Sequence, residues 1–196
     1  SMEKQMIDKL ELAHAYQKPI DGHLAGLTKK EINTYSYAGI STDHECTNVE
    51  EVIERLRAGL FVAFREGSAA RNLKDLLPAV TEHNANRIMY CTDDKHLDDI
   101  IKEGSIDYCI RTAIAHGIHP VTAYSMATLN PALCYGLNQK GAIAPGYEAN
   151  FVFLNELESV EITDVWCKNE FIVKEKKLIK SIKNNHEKNI NSKVNL

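Results

Sequence analysis

Nowhere does this sequence run apolar for the roughly 18 residues that a membrane-spanning helix needs, and no two of its cysteines are spaced Cys-x-x-Cys. Its five cysteines (46, 91, 109, 134 and 167) are odd in number and scattered. That excludes a disulfide framework and suits reduced thiols in a cytoplasmic protein, each read as a small buried hydrophobe. A basic excess is also missing: the net charge of −4 argues against a nucleic-acid partner. Ser68 sits in no Gly-x-Ser-x-Gly elbow, so serine-nucleophile hydrolysis is not expected. The glycines at 141 and 146 lack the Gly-Lys-Ser/Thr ending of a phosphate-binding loop. Ser1-Met2-Glu3-Lys4 has no apolar core of a secretory signal, and Ser1-Met2 reads as a remnant of cloning.

What is present is a regular alternation. The 196 residues suggest one domain or one and a half. With 44% hydrophobic and 26% charged residues, composition singles out no special class, so pattern must decide. A helix is expected over 3–16, ended by Pro19. Ile20 then opens a short strand that leads to His23. Thr28-Lys29-Lys30-Glu31 is a capping box for a second helix, which Gly39 stops. Ile40 opens a strand ending at His44, and Asn48 caps a third helix whose inward stripe is Val52, Ile53 and Leu56. Leu60–Phe64 is a continuous apolar run, the mark of a strand covered on both faces. A helix follows over 72–80, with Pro78 as a break point, and Arg87–Cys91 is the fourth strand. Helices are expected over 95–103, 106–116, 120–128 and 130–136. After Gly146 the strands near 150–154, 164–167 and 171–173 have no helices between them. They form a small β appendage, and residues 176–196 are expected to be a flexible tail.

Chemistry gathers where the first four strands stop. His23, His44, Glu66 and Asp93 stand 21, 22 and 27 residues apart, about the length of a strand, a crossover helix and two loops. Successive strand ends bearing such side chains predict part of a (β/α) barrel's catalytic rim. His23 and His44 suit ligands of a divalent metal, and Asp93 suits a ligand that also accepts a proton from water. Glu45 and Glu66 are equally compatible with substrate contacts and with ordinary ion pairs. Asp94 is as well explained as a carboxylate at a helix N-terminus. The other histidines (14, 83, 96, 116, 119 and 186) fall in helices, beside them or in the tail, and read as structural.

Three runs carry a resemblance: Asp21-Gly22-His23-Leu24-Ala25-Gly26-Leu27, Ser41-Thr42-Asp43-His44-Glu45-Cys46-Thr47, and Arg65-Glu66-Gly67-Ser68-Ala69-Ala70. Thr92-Asp93-Asp94, Met126–Asn130 and Gly141–Gly146 continue it in order. Over residues 5–175 the chain closely resembles the adenine deaminases of the amidohydrolase superfamily. The resemblance implies an α/β fold: the second half of a TIM-like (β/α)8 metal-dependent hydrolase barrel with a small C-terminal β appendage. Residues 1–140 would supply strands five to eight with their helices, and 141–175 part of a β-sandwich. It implies metal-dependent hydrolytic deamination of adenine to hypoxanthine and ammonia, in purine salvage. His23, His44 and Asp93 become the metal ligands, Asp93 the general base, and Glu45, Glu66 and Ser68 candidate purine contacts. The metal implied is Mn²⁺ or Fe²⁺. The unrelated zinc deaminase pattern, His-x-Glu with Pro-Cys-x-x-Cys, is absent.

The departures from that family are equally plain. The family's first strand ends in a His-x-His metal motif, and no His-x-His occurs here; His116 and His119 have two residues between them. The chain is therefore expected to be a fragment, with an incomplete metal site and no activity alone. Open sheet edges and exposed faces at Phe61–Phe64 and Ile88–Tyr90 are expected to drive homo-oligomer formation. The rival readings are a non-catalytic half-barrel that self-associates, and an amidohydrolase acting on another cyclic amidine or amide. No nucleic acid and no membrane is expected as a partner.

Overall fold

The computed structural model describes residues 2–179, and the chain divides into two compact units. The first comprises the residues up to Glu148 together with Glu156–Val160; the second comprises Ala149–Asn155 and the residues from Glu161 onward. Residues 141–148, which the family resemblance groups with the appendage, cluster with the first unit.

In the first unit strands and helices alternate: α1 (Met2–Ala15), β1 (Ile20–Gly22), α2 (Lys29–Tyr37), β2 (Ile40–Asp43), α3 (Val49–Arg57), β3 (Phe61–Arg65), α4 (Leu73–Leu76) and β4 (Ile88–Cys91). Four more helices follow: α5 (Leu97–Glu103), α6 (Ile106–Ala115), α7 (Pro120–Ala127) and α8 (Leu129–Cys134). The strands form one parallel sheet in the order β1-β2-β3-β4. Since all four run the same way, their C-terminal ends share one edge, and the loops that follow them lie side by side.

Local chemistry sets these elements. The capping box forms, with Glu31 accepting from the Thr28 amide at 2.8 Å while its own amide donates to the Thr28 hydroxyl. Asn48 caps α3 through the Glu51 amide at 3.0 Å. The expected 72–80 helix is instead α4 followed by a 3-10 turn, Leu77–Ala79, because Pro78 cannot donate to an α-helical ladder. His119 accepts from the Val121 amide at the start of α7, His14 meets the Ala38 carbonyl and His116 the Thr112 carbonyl, so these three have local structural partners.

The faces expected to be exposed are not. Val62, Phe64 and Ile88 are completely buried, and Ala63, Met89 and Tyr90 are buried as well. Val62, Phe64, Ile88 and Tyr90 join Leu73, Leu76, Cys109, Ala113, Ala123 and Met126 in one core, so helices α4, α6 and α7 cover this part of the sheet. Only the edges stay open: among the described residues no strand pairs with the outer side of β1 or of β4.

The second unit is an antiparallel sheet of β5 (Phe151–Leu154), β6 (Ile162–Cys167), β7 (Glu170–Lys174) and β8 (Lys177–Leu178), in that order. Phe151, Phe153, Trp166 and Phe171 pack together, Trp166 meeting Phe171 edge-on at 4.8 Å. Strand β8 falls inside the stretch expected to be a flexible tail; its Leu178 pairs with Val173 across the hairpin. The rest of that tail, 180–196, lies outside the described residues.

Candidate metal and proton-transfer site

The loops after β1 and β2 bring two imidazoles together. His23 follows Gly22 directly and His44 follows Asp43, and their ring centres lie 5.7 Å apart, edge to face. Glu45 joins them: its Oε1 is 3.4 Å from His23 Nδ1 and 3.4 Å from His44 Nε2. One donor atom from each of His23, His44 and Glu45 lies within 4.8 Å of the other two. Two imidazoles with a carboxylate form a donor set that a divalent first-row ion accepts.

Asp21 supplies the orientation, and sequence reasoning had given it no role. Its Oδ2 lies 3.2 Å from His44 Nδ1, and its Oδ1 accepts from the Thr42 hydroxyl. A carboxylate on Nδ1 selects the tautomer whose Nε2 carries the free lone pair, the usual way a ligating histidine is aimed. Asp21 stands two residues before His23, and its register partner on the adjacent strand is Thr42, two residues before His44.

Asp93 follows β4 with a left-handed backbone, φ 42°. It lines a cavity of about 150 Å³ with Asp21, His44, Ala63, Cys91 and Tyr135. Its Oδ2 accepts from Arg65 Nη1 at 3.2 Å, and the same nitrogen donates to Glu45 Oε1 at 2.5 Å. Arg65, at the end of β3, therefore ties the loop carrying His44 and Glu45 to the loop carrying Asp93. Sequence reasoning missed this residue too, having read the Arg65–Ser68 run for its acid and its hydroxyl.

Glu66 and Ser68 are not brought into this cluster. Glu66 is 3% exposed; it accepts from the Leu73 amide at 3.3 Å and faces Arg71. The Ser68 hydroxyl donates to Asp99 Oδ2 at 2.5 Å and accepts from the His96 amide. Asp94 is no helix-terminal carboxylate either, for the residue that precedes α5 is His96. Its Oδ2 accepts from the Ala69 amide at 2.8 Å, which leads the contacts holding its carboxyl below the usual aspartate value. A Cβ on Gly67 would lie 1.6 Å from Asp94 Oδ1, so a side chain there would displace the Asp94 carboxylate.

Burial is the main influence on Glu66 and raises its carboxyl above the ordinary 4.5; the Leu73 amide, Arg71 and Lys95 oppose it. An acid with a raised folded pKa binds its proton more tightly when folded. Stability is then lost as pH rises from about 4.5 through the raised value. Glu66→Gln keeps an acceptor for the Leu73 amide and should flatten the stability curve in that window. Urea denaturation across pH checks this; an unchanged slope would contradict it.

Comparison with known proteins bears on the family and the fold. The profile of the Amidohydrolase family matches residues 2–172. The adenine deaminase of Geobacillus kaustophilus is 54% identical over 161 residues, 82% of this chain and 28% of that protein. The adenine deaminase of Bacillus subtilis is 46% identical over 177 residues, 90% of this chain and 31% of that protein. The chain thus spans less than a third of the length of these relatives. Among solved structures, a β-aspartyl dipeptidase from Fervidobacterium islandicum AW-1 superposes with a TM-score of 0.58 at 20% identity, covering 71% of this chain and 41% of that one. Phenylurea hydrolase B does so with 0.56 at 17% identity, covering 83% and 45%. At those identities the likeness establishes the fold alone. Profile, relatives and fold agree: the chain belongs to the amidohydrolase family.

Proposed function

We propose that this chain carries the metal-binding and proton-transferring half of a site for hydrolytic deamination of adenine, giving hypoxanthine and ammonia. The observation that supports this most is the convergence of His23, His44 and Glu45 at the sheet edge where Arg65 also holds Asp93. On this reading the four parallel strands are strands five to eight of a (β/α)8 barrel, and the ion is Mn²⁺ or Fe²⁺. His23, His44 and Asp93 would hold it, and a divalent ion there makes hydroxide available from water near neutral pH.

The other roles belong to the chain's own residues. Asp21 keeps His44 Nε2 free for ligation. Asp93 accepts the proton of the attacking water and delivers it to the departing amine, so that water adds at C6 of adenine and ammonia leaves. Arg65 fixes the direction of the Asp93 carboxylate through its Nη1. Glu45 would contact the purine from beside the two imidazoles, whereas Glu66 and Ser68 would first have to give up their loop contacts. The open sides of β1 and β4 suit pairing with the remainder of a barrel or with a second copy. Cytoplasmic purine salvage is the setting this reading implies.

The test is complementation. The purified chain with Mn²⁺ should release no ammonia from adenine alone. Mixed with the rest of the G. kaustophilus relative it should do so, and His44→Ala should abolish the release. Ammonia from another cyclic amidine such as cytosine, in preference to adenine, would overturn the substrate assignment.

A further inference from the structure

Beneath the two histidine loops lies a pair of opposite charges withdrawn from water. Asp43 is completely buried, and the side chain of Arg55, from α3, is 1% exposed. Arg55 Nε donates to Asp43 Oδ2 at 3.0 Å. Taking both charges out of water costs about what their attraction returns, so such a pair adds little stability over an apolar pair of the same size. Its remaining bonds point to a different role.

Three of them end beside a histidine; the other two are longer contacts, Cys46 Sγ at 3.9 Å from Asp43 Oδ2 and Glu54 Oε2 at 3.8 Å from Arg55 Nη1. Asp43 Oδ1 accepts from the Leu24 amide at 3.2 Å, one residue past His23, and from the Glu45 amide at 3.2 Å, one residue past His44. Arg55 Nη2 donates to the Leu24 carbonyl at 2.7 Å. Leu24 is thus gripped at both its N–H and its C=O by the one ion pair, and Asp43 is itself the residue before His44. The side chain of Leu24 is also fixed: it is completely buried, and its Cδ1 lies 2.0 Å from where a Cβ on Gly22 would stand. The strand ends alone do not set this geometry. β1 and β2 pair through only three residue pairs, and their register shifts between Ile20 and Asp21. The side chain of His23 is 75% exposed, and its partners are His44 and Glu45, on the very loop whose position has to be set.

We propose that the Asp43–Arg55 pair is the positioning element that sets His23 and His44 relative to each other, fixing the donor geometry through the Leu24 and Glu45 backbone. The proposal rests on the reading of His23 and His44 as metal ligands. Neither Asp43 nor Arg55 touches the ion. They act as a rigid clamp that spares the site the entropy of ordering two loops when metal binds.

The experiment follows Mn²⁺ affinity by calorimetry, thermal midpoint, and exchange protection of the Leu24 and Glu45 amides in the metal-free chain. Arg55→Met should weaken Mn²⁺ binding at least about tenfold, as loss of a ligand-orienting partner does, and should expose both amides to exchange. Leu76→Ala, in the core away from the loops, should lower the midpoint and leave Mn²⁺ affinity unchanged. Asp43→Asn/Arg55→Met removes both buried charges, so the midpoint should partly recover. Its Mn²⁺ affinity should stay low, because the Leu24 carbonyl still lacks its donor. Affinity that simply follows the midpoint across these variants would overturn the proposal and leave the pair a structural feature. Equal Mn²⁺ binding by the unchanged chain and by His44→Ala would overturn the metal reading, and the clamp with it. That pattern is distinct from one in which His44→Ala abolishes binding and Arg55→Met leaves it intact, which would sink the clamp alone.

Discussion

Asp93→Asn is expected to lower ammonia release from adenine by about 10²- to 10⁴-fold, the span a positioned general base contributes. The assay is the chain complemented by the rest of its G. kaustophilus relative. The substitution is close to isosteric, and asparagine is among the few residues that adopt a left-handed backbone readily, so the φ of 42° at this position is retained. An Asn oxygen can still accept from Arg65. What disappears is the capacity to take a proton and pass it on, together with the anionic charge Asp93 offers the ion, so with Mn²⁺ kept saturating the loss should fall on kcat more than on KM. A variant within a few-fold of the unchanged protein would remove Asp93 from the proton path.

The second large effect is on stability. Asp43→Ala should cost about 3–5 kcal/mol, since it leaves a guanidinium 1% exposed without its buried partner, the half-exposed Glu54 carboxylate at 3.8 Å being the acid that remains. The Leu24 and Glu45 amides lose their acceptor in the same step. Urea denaturation of the isolated chain measures this directly. Asp43→Ala/Arg55→Met should be less destabilised than Asp43→Ala alone, because the stranded charge goes with its partner. Equal losses in the single and double variants would show that water reaches Arg55 after all.

The parts of this molecule legible in the sequence are those written in local chemistry. Thr28 and Glu31 announce a capping box, Pro78 a broken helix and Leu60–Phe64 a covered strand, and each is found. The spacing of His23, His44 and Asp93 marked the strand ends, because parallel strands joined by helices bring distant residues to one edge. Other features depend on what a side chain meets across the fold, and these were hidden. Nothing in the sequence singles out Arg55 between Glu54 and Leu56, yet it lies one helical turn from the buried Val52 and is buried with it. Arg65 seemed subordinate to its neighbour Glu66; in the fold Arg65 reaches the rim, while Glu66 turns inward to the Leu73 amide. The exposure expected of Phe61–Phe64 and Ile88–Tyr90 assumed that a half-barrel leaves its sheet bare. The helices after β4 fold back over it instead.

The most direct measurement of the central claim is a calorimetric titration of the purified chain with Mn²⁺, beside His23→Ala/His44→Ala. Saturable binding by the unchanged chain that the double substitution removes is the predicted result. Binding that survives loss of both imidazoles, or none in the unchanged chain, would contradict a metal centre built on His23 and His44.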